Sequence, residues 1–232
     1  MSTKDNLASL LARTELFKGL SADELAACIP SFRETKFKKG QALFVRGESA
    51  TGLYLVADGR VRLAIATEDG RELSFRHATA GELLGEIAAL DGGTRSADAT
   101  ALTAVTAYRL DKDDFRKLWR ERPALSERLI AFLCGRLRDT SGQLESIALH
   151  PLHVRLARFF LVALGNRKPE PGKRLPLELG MSQSELALLL GASRPKINEA
   201  LGKLEETGAI NRTIDRIFCD PTKLADIDGA NA

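Results

Sequence analysis

Hydrophobic and polar residues alternate in several rhythms along the chain, and each rhythm predicts a different kind of structure. Residues 7–30 predict two short helices, with Ser21 and Glu24 as a capping box at the start of the second. Between residues 36 and 110, short alternating stretches such as GLYLVA and RVRLAIA are separated by glycines. Short strands at regular spacing predict an antiparallel sandwich or barrel, and the E-D-G segment at residues 68–70 predicts a hairpin turn.

After Asp111 the pattern becomes helical, and one long helix dominates it. From Pro123 to about Ala148, apolar residues recur at steps of three and four. The seam consists of Ile130, Leu133, Leu137, Leu144 and Ile147, with Thr140 as its polar member. A heptad seam of this kind usually buries itself against a partner helix, so it predicts dimerisation. His150-Pro151 interrupts the helix, and we place a domain boundary there before a further helix in VRLARFFLVALG and a polar loop, RKPEPGKR.

Residues 181–210 carry the signals of two short helices joined by a glycine turn. Ser182 opens a capping box, Gly191 ends the first helix, Ser193 caps the second, and Pro195 suits its first turn. This arrangement predicts a helix-turn-helix, in which the second helix enters the DNA major groove. The candidate DNA contacts are Ser182, Gln183, Ser193, Arg194, Lys196, Asn198 and Glu199. A plain helical hairpin with a charged, solvated face is the alternative.

The distribution of charge favours the DNA-binding interpretation. The net charge of +3 is unevenly placed: residues 150–220 contain 11 Lys/Arg and 8 Asp/Glu, whereas residues 1–149 contain 22 and 21. The segment NRTIDRIFCD that follows the second helix predicts a β-hairpin wing, with Arg212 and Arg216 near DNA phosphates.

The stretch GELLGEIAALDGGTRSA, at residues 81–97, combines a carboxylate, a guanidinium and a hydroxyl around a small glycine-rich turn. A short helix that opens at Gly85 presents free backbone N–H groups to an anion, and Arg95 adds a fork-shaped, charge-assisted contact. Glu86 would repel a simple phosphate. The combination of Glu86, Arg95 and Ser96 therefore predicts an anionic ligand that also carries hydroxyl groups. A surface salt bridge between Glu86 and Arg95 is the alternative.

Composition excludes several other classes of protein. A hydrophobic content of 44% is ordinary for a soluble globular chain, and no apolar run approaches the roughly 20 residues of a membrane span. The first residues lack a signal-peptide pattern, so a cytoplasmic location is expected. Cys28, Cys134 and Cys219 form no C-x-x-C pair, and we expect no metal site or disulfide framework. The motifs G-x-S-x-G, H-E-x-x-H and the P-loop are missing, which argues against an enzyme.

The order of barrel, long helix, hinge and helix-turn-helix resembles the Crp/Fnr family of bacterial transcription factors over nearly the whole chain. The resemblance implies an α+β fold in three parts. Residues 1–122 would form a jelly-roll-like β-roll that binds a cyclic nucleotide, residues 123–149 a dimerisation helix, and residues 150–232 a winged helix-turn-helix. The expected partners are a second copy of the chain, double-stranded DNA with a palindromic operator and RNA polymerase, with no membrane.

The same resemblance assigns roles to individual residues of the ligand site. Glu86 would accept a hydrogen bond from the ribose 2′-hydroxyl, while Arg95, Ser96 and the backbone N–H groups around Gly85 and Ile87 would hold the cyclic phosphate. In the members of the family that respond to cyclic AMP, a Thr-Ser pair on the dimer helix meets the adenine. The corresponding pair here is Thr140 and Ser141. Cyclic AMP is therefore the expected effector, and its binding would bias a two-state arrangement of hinge and recognition helices.

The recognition helix departs from the best-known pattern of the family. Ser193-Arg194-Pro195 stands in place of Ser-Arg-Glu, and Glu199 stands where an arginine is frequent, so the half-site is expected to differ from TGTGA. Arg194 suits guanine, and Glu199 can accept from cytosine.

Five alternatives to the cyclic AMP hypothesis remain at this point. The effector could be cyclic GMP, or the protein could bind DNA without any ligand. A heme sensor would need an axial ligand, for which His77 is the sole barrel histidine, and a hydrolase would need a site such as His150 and His153. A kinase-type or channel-type nucleotide module would leave the helix-turn-helix without a role.

Overall fold

The computed structural model describes residues 3–66, 72–165, 167, 173–213 and 216–229. Within it the chain divides into two compact units, Met1–Asp139 and Thr140–Ala232. The hairpin turn predicted at residues 68–70 lies outside the described residues, as does most of the predicted polar loop.

The first unit begins with helices and continues as a β-domain. Ser21 and Glu24 form the predicted capping box, in which each side chain accepts a hydrogen bond from the other residue's backbone N–H. The helices are α1 (Thr3–Arg13), α2 (Ala22–Cys28), α3 (Glu86–Asp91), α4 (Lys112–Arg120) and α5 (Pro123–Leu149), which continues into the second unit. The strands are β1 (Phe32–Phe37), β2 (Ala42–Phe44), β3 (Gly52–Asp58), β4 (Val61–Ala66), β5 (Glu72–Ala78), β6 (Leu83–Leu84), β7 (Asp98–Ala101) and β8 (Val105–Asp111).

These strands form two four-stranded antiparallel sheets, in the orders β1-β8-β3-β6 and β2-β7-β4-β5. Leu53 and Leu55 on β3 are fully buried in one hydrophobic cluster, and Val56 and Val61 are fully buried in another. Alternate residues of a strand face opposite sides, so the alternation in the sequence places these apolar groups inside. The prediction of an antiparallel sandwich or barrel is confirmed as two antiparallel sheets.

The long helix α5 is continuous from Pro123 to Leu149, as the heptad pattern predicts. Leu125, Leu129 and Phe132 bury one side of its first half in the β-domain core. Other apolar side chains of the helix are exposed in the protomer; they are Ile130, Leu137, Leu144, Ile147 and Leu149. The seam predicted to bind a partner helix is thus largely uncovered in a single chain.

The second unit is built around a separate core. Its fully buried large residues include Leu156, Phe160, Ile197, Leu204 and Leu224. Its elements are α6 (Leu152–Leu164), β9 (Leu175–Leu177), α7 (Gln183–Leu189), α8 (Arg194–Glu206), β10 (Ile210–Arg212), β11 (Ile217–Cys219) and α9 (Pro221–Asp228).

Two features at the edges of this unit bear on the sequence predictions. Pro151 is the N-cap of α6, so the predicted break of the long helix at His150-Pro151 is confirmed. The predicted hairpin forms as β10 and β11, but it gains a third strand, β9, which the sequence did not indicate. β9 contains Pro176 and lies at the sheet edge, where a missing N–H is tolerated. The domain ranges 1–122, 123–149 and 150–232 stay a prediction.

Candidate ligand and DNA sites

The candidate ligand site is built where strand β6 passes into helix α3. Gly85 links the two and has φ +82°, in the left-handed region that favours glycine. A Cβ at this position would collide with Nη1 of Arg95. Both the turn and the arginine therefore require a residue without a side chain.

Arg95 lies beneath this turn, and only 4% of the residue is exposed. Its Nη1 donates to the carbonyl oxygen of Gly85 at 2.9 Å, and its Nη2 donates to that of Gly52 at 2.5 Å. The guanidinium also stacks on Phe44, with Cζ 4.3 Å from the ring centroid. Both of these hydrogen bonds go to neutral carbonyl oxygens and use two of the five N–H donors of the guanidinium.

The electrostatics of the site favour an anion. Burial lowers the pKa of the Arg95 guanidinium, while Tyr54, Glu48 and Glu86 oppose that shift. Glu86, in the first turn of α3, is 6% exposed and thus also buried. A buried cation held by neutral carbonyls gains electrostatic stabilisation when an anion enters, and a buried carboxylate nearby can accept a hydrogen bond from a hydroxyl group.

The structure brings three of the predicted ligand residues of the first unit together. Arg95 donates a hydrogen bond to the carbonyl oxygen of Gly85, and Glu86 acts on the same guanidinium electrostatically. Ile87 and Ser96 directly follow Glu86 and Arg95 in the chain, and their side chains are exposed. Thr140 and Ser141 are exposed residues of α5 that belong to the second unit. Their part in the site stays a prediction.

Sequence reasoning missed two members of the site. Phe44 lies on β2, where one side of its aromatic surface contacts the guanidinium of Arg95. The Phe44 ring also stacks on Tyr54, with ring centroids 6.2 Å apart. Gly52 contributes a backbone carbonyl at the start of β3. Both are more than 40 residues from Arg95 along the chain, and no local motif marks either of them.

The predicted helix-turn-helix is present as α7 and α8. Ser182 and Glu185 form the capping box of α7, with hydrogen bonds of 3.2 and 2.7 Å. Ser193 occupies the N-cap position of α8, but its side chain makes no capping hydrogen bond. This corrects the predicted cap, and a hydroxyl outside a cap can contact a ligand instead. Pro195 lies in the first turn as predicted.

The residues predicted to contact DNA are all exposed to solvent. These seven residues are Ser182, Gln183, Ser193, Arg194, Lys196, Asn198 and Glu199. Ile197, Leu201 and Leu204 face the core and fix which side of α8 is turned outward. Glu199 pairs with Lys203 at 2.9 Å, and that hydrogen bond lowers the pKa of the Glu199 carboxyl.

The wing arginines have different surroundings. Arg212 donates to Glu205 and to Asn198, both on α8. Arg216 is more exposed and lies 3.6 Å from a carboxylate oxygen of Glu178. Their predicted contacts with DNA phosphates stay a prediction.

The described residues also bear on the predicted absence of a metal site and on the three cysteines. Within the described ranges, no group of three or more His, Cys, Asp or Glu residues could hold a metal ion. Cys28 and Cys219 are buried and Cys134 is exposed, and burial raises the pKa of Cys219 to about 12. Among the same residues, no helix combines the length and the apolarity that crossing a membrane requires.

Comparison with known proteins assigns both units. The profile of the cyclic nucleotide-binding domain matches residues 34–122, and that of the Crp-like helix-turn-helix domain matches residues 154–227. A CRP-like cAMP-activated global transcriptional regulator of Mycobacterium tuberculosis is 31% identical over 201 residues, which are 87% of this chain and 90% of the relative. The chain belongs to the Crp/Fnr family.

Other members of the Crp/Fnr family support the same assignment. The cyclic AMP receptor protein of Thermus thermophilus is 32% identical over 199 residues, covering 84% of this chain and 87% of that protein. The crystal structure of a CRP/FNR family regulator from the same species is 25% identical with a TM-score of 0.67, covering 86% of this chain and all of that one. This Crp/Fnr protein is therefore a DNA-binding transcriptional regulator with a cyclic nucleotide-binding domain, and its family is one of regulators rather than enzymes.

Proposed function

We propose that this Crp/Fnr protein is a homodimeric transcription factor whose DNA binding is gated by cyclic AMP. The observation that carries the proposal is the buried guanidinium of Arg95, held by carbonyl oxygens under the Gly85 turn with the buried Glu86 acting on it. The name of the Mycobacterium tuberculosis relative, which is cAMP-activated, agrees with this choice of effector.

The chemistry of the site suits the two polar parts of a cyclic nucleotide. Arg95, Ser96 and the backbone N–H groups around Gly85 and Ile87 are proposed to hold the cyclic phosphate, since charge-assisted hydrogen bonds are the strongest available to it. Glu86 is proposed to accept a hydrogen bond from the ribose 2′-hydroxyl, which gives the carboxylate a favourable contact beside an anion.

The adenine is assigned by family resemblance to Thr140 and Ser141, both exposed on α5. A ligand that binds one state of a two-state protein more tightly shifts the population towards that state. Coupling of about 1–3 kcal/mol is typical of such systems and is enough to change DNA affinity 5- to 150-fold.

The homodimer is supported by the exposed apolar side chains of α5. A soluble protein seldom leaves a run of leucine and isoleucine at heptad spacing in water, and a second copy of the same helix offers a matching seam. A two-fold dimer also presents two copies of α8, which fits a palindromic double-stranded operator. Contact with RNA polymerase and a cytoplasmic location belong to the same proposal.

Calorimetric titration with cyclic AMP and, separately, cyclic GMP tests the proposal. We expect binding of cyclic AMP at one site per protomer with micromolar or tighter Kd, and DNA binding that strengthens when the nucleotide is present. No heat from either nucleotide at two temperatures contradicts the assignment of the effector. Binding without any change in DNA affinity contradicts the gating.

A further inference from the structure

Arg212 on the wing strand β10 forms hydrogen bonds to two residues of the recognition helix α8. Its Nη2 donates to Oε2 of Glu205 at 2.6 Å, and its Nη1 donates to Oδ1 of Asn198 at 3.0 Å. The backbone N–H of Arg212 also donates to Oε1 of Glu205 at 3.2 Å. Asn198 and Glu205 are seven residues apart, close to two turns, and so share one face of α8.

This geometry determines how the amide of Asn198 is turned. A guanidinium has five N–H donors and no acceptor, so only the oxygen of the amide can face it. The NH₂ group of Asn198 is thereby directed to the other side of the planar amide. Because Asn198 is exposed, that NH₂ group is presented to solvent and to any molecule that docks on α8.

We infer that Arg212 is a positioning residue, which fixes the amide of Asn198 so that α8 offers a hydrogen-bond donor to one base of the operator. The inference rests on the proposed placement of the first half of α8 in the major groove. Guanine, thymine and adenine each present an acceptor at the major-groove edge, whereas cytosine presents the N4 donor. The recognition helix therefore discriminates against cytosine at the base that Asn198 meets.

Two further observations separate Arg212 from an ordinary phosphate contact. Its side chain is 27% exposed and already bonded to two partners, whereas that of Arg216 is 55% exposed and meets its carboxylate only at 3.6 Å. The hydrogen bond from Arg212 also lowers the pKa of Glu205, so the anchoring carboxylate is ionised at neutral pH. Arg216 is thus the matched control, since it is a wing arginine whose ion-pair partner, Glu178, lies outside α8.

The test is selection of DNA from a random-sequence duplex pool by the full-length protein, with and without cyclic AMP. The variants are Asn198→Ala, Arg212→Ala, their double variant and Arg216→Ala. We expect Asn198→Ala to remove most of the discrimination among bases at one position of each half-site. Arg212→Ala should raise the frequency of cytosine at that same position on the order of five-fold, because the freed amide of Asn198 can turn its oxygen towards the base and one hydrogen bond is at stake.

The double variant and the control make the assignment specific. The double variant should select the same DNA as Asn198→Ala alone, because Arg212 acts through that amide. Arg216→Ala should bind all sequences more weakly, with a salt slope smaller by about 1 and unchanged preferences. Arg212→Lys keeps the charge but loses the guanidinium fork that contacts both Asn198 and Glu205. It should therefore weaken the base preference at the same position as Arg212→Ala does, and it provides the test if the alanine variant folds poorly.

Three results would overturn the inference. Equal loss of affinity on every sequence after Arg212→Ala, with a reduced salt slope, makes Arg212 a phosphate contact. Unchanged selection by Asn198→Ala means that its amide reads no base, while the proposed function stands because the wild type still enriches a motif. Enrichment of no motif by the wild type, with or without cyclic AMP, removes the proposed function and this inference together.

Discussion

Replacing Arg95 by glutamine is the sharpest perturbation of the ligand site. The change removes the buried charge and the fork, while glutamine is long enough to keep one hydrogen bond to a carbonyl. The other carbonyl, of Gly85 or Gly52, is left without its donor, at a cost of about 1–3 kcal/mol that relief of the buried charge partly offsets. For a chain of this size, a net loss of about 1–2 kcal/mol lowers Tm by roughly 2–8 °C.

The effect of Arg95→Gln on the ligand should be larger than its effect on folding. Two charge-assisted hydrogen bonds to a cyclic phosphate contribute about 3 kcal/mol or more, which corresponds to on the order of a 100-fold change in Kd. At a cyclic AMP concentration of about 100 times the wild-type Kd, the ligand stabilises the wild type by about 2.7 kcal/mol. The variant should gain only about 0.4 kcal/mol under the same conditions.

Thermal denaturation with and without cyclic AMP, combined with calorimetric titration, measures both effects. Arg109→Gln is the matched control. Arg109 acts electrostatically on Arg95, and it forms an ion pair at 2.6 Å with Asp111, which lies on the same strand, β8. In Arg109→Gln, the increase in Tm on addition of cyclic AMP should be nearly the same as in the wild type. If Arg95→Gln binds cyclic AMP with the wild-type Kd, the guanidinium does not hold the phosphate and the reasoning fails.

Further predictions concern the dimer, selectivity, pH and thiol chemistry. Leu137→Glu, at a seam position 68% exposed in the protomer, should abolish dimerisation in analytical ultracentrifugation, since each buried leucine contributes about 2 kcal/mol; an intact dimer would place the interface elsewhere. Thr140→Ala should reduce the ratio of cyclic AMP to cyclic GMP affinity, and an unchanged ratio would leave Thr140 a packing residue. The hydrogen bond from Arg212 lowers the folded-state pKa of Glu205, so the stabilisation by this bond is present above pH 4.5 and is lost as pH falls through the lowered pKa. Glu205→Gln should therefore reduce the free energy of unfolding at pH 7 and change it little at acidic pH. A difference in Tm between variant and wild type that stays constant with pH would contradict this coupling. Cys219, with a pKa raised to about 12 and no exposed surface, should resist a thiol reagent at pH 8 until the protein unfolds, and rapid native labelling would contradict its burial.

The local parts of the ligand and DNA sites could be predicted because short motifs encode them. Ser182 and Glu185 are three residues apart, so their capping box is decided within one helical turn. Gly85 and Glu86 likewise open α3 as the glycine-led pattern predicts. Heptad spacing predicted the long helix and its exposed seam for the same reason, since a helix brings residues three and four apart onto one face.

The amino-acid sequence by itself thus determined the order of the elements, the glycine turn at Gly85 that opens α3, the helix-turn-helix and the heptad seam of α5. Only the tertiary structure decided what these parts touch. Phe44 and the carbonyl of Gly52 reach Arg95 because separate strands fold over one turn, and the link from Arg212 to Asn198 depends on how the wing packs against α8. The physical reason is range: propensities, caps and periodicity act within a few residues, whereas contacts between distant segments depend on a fold that no single segment specifies.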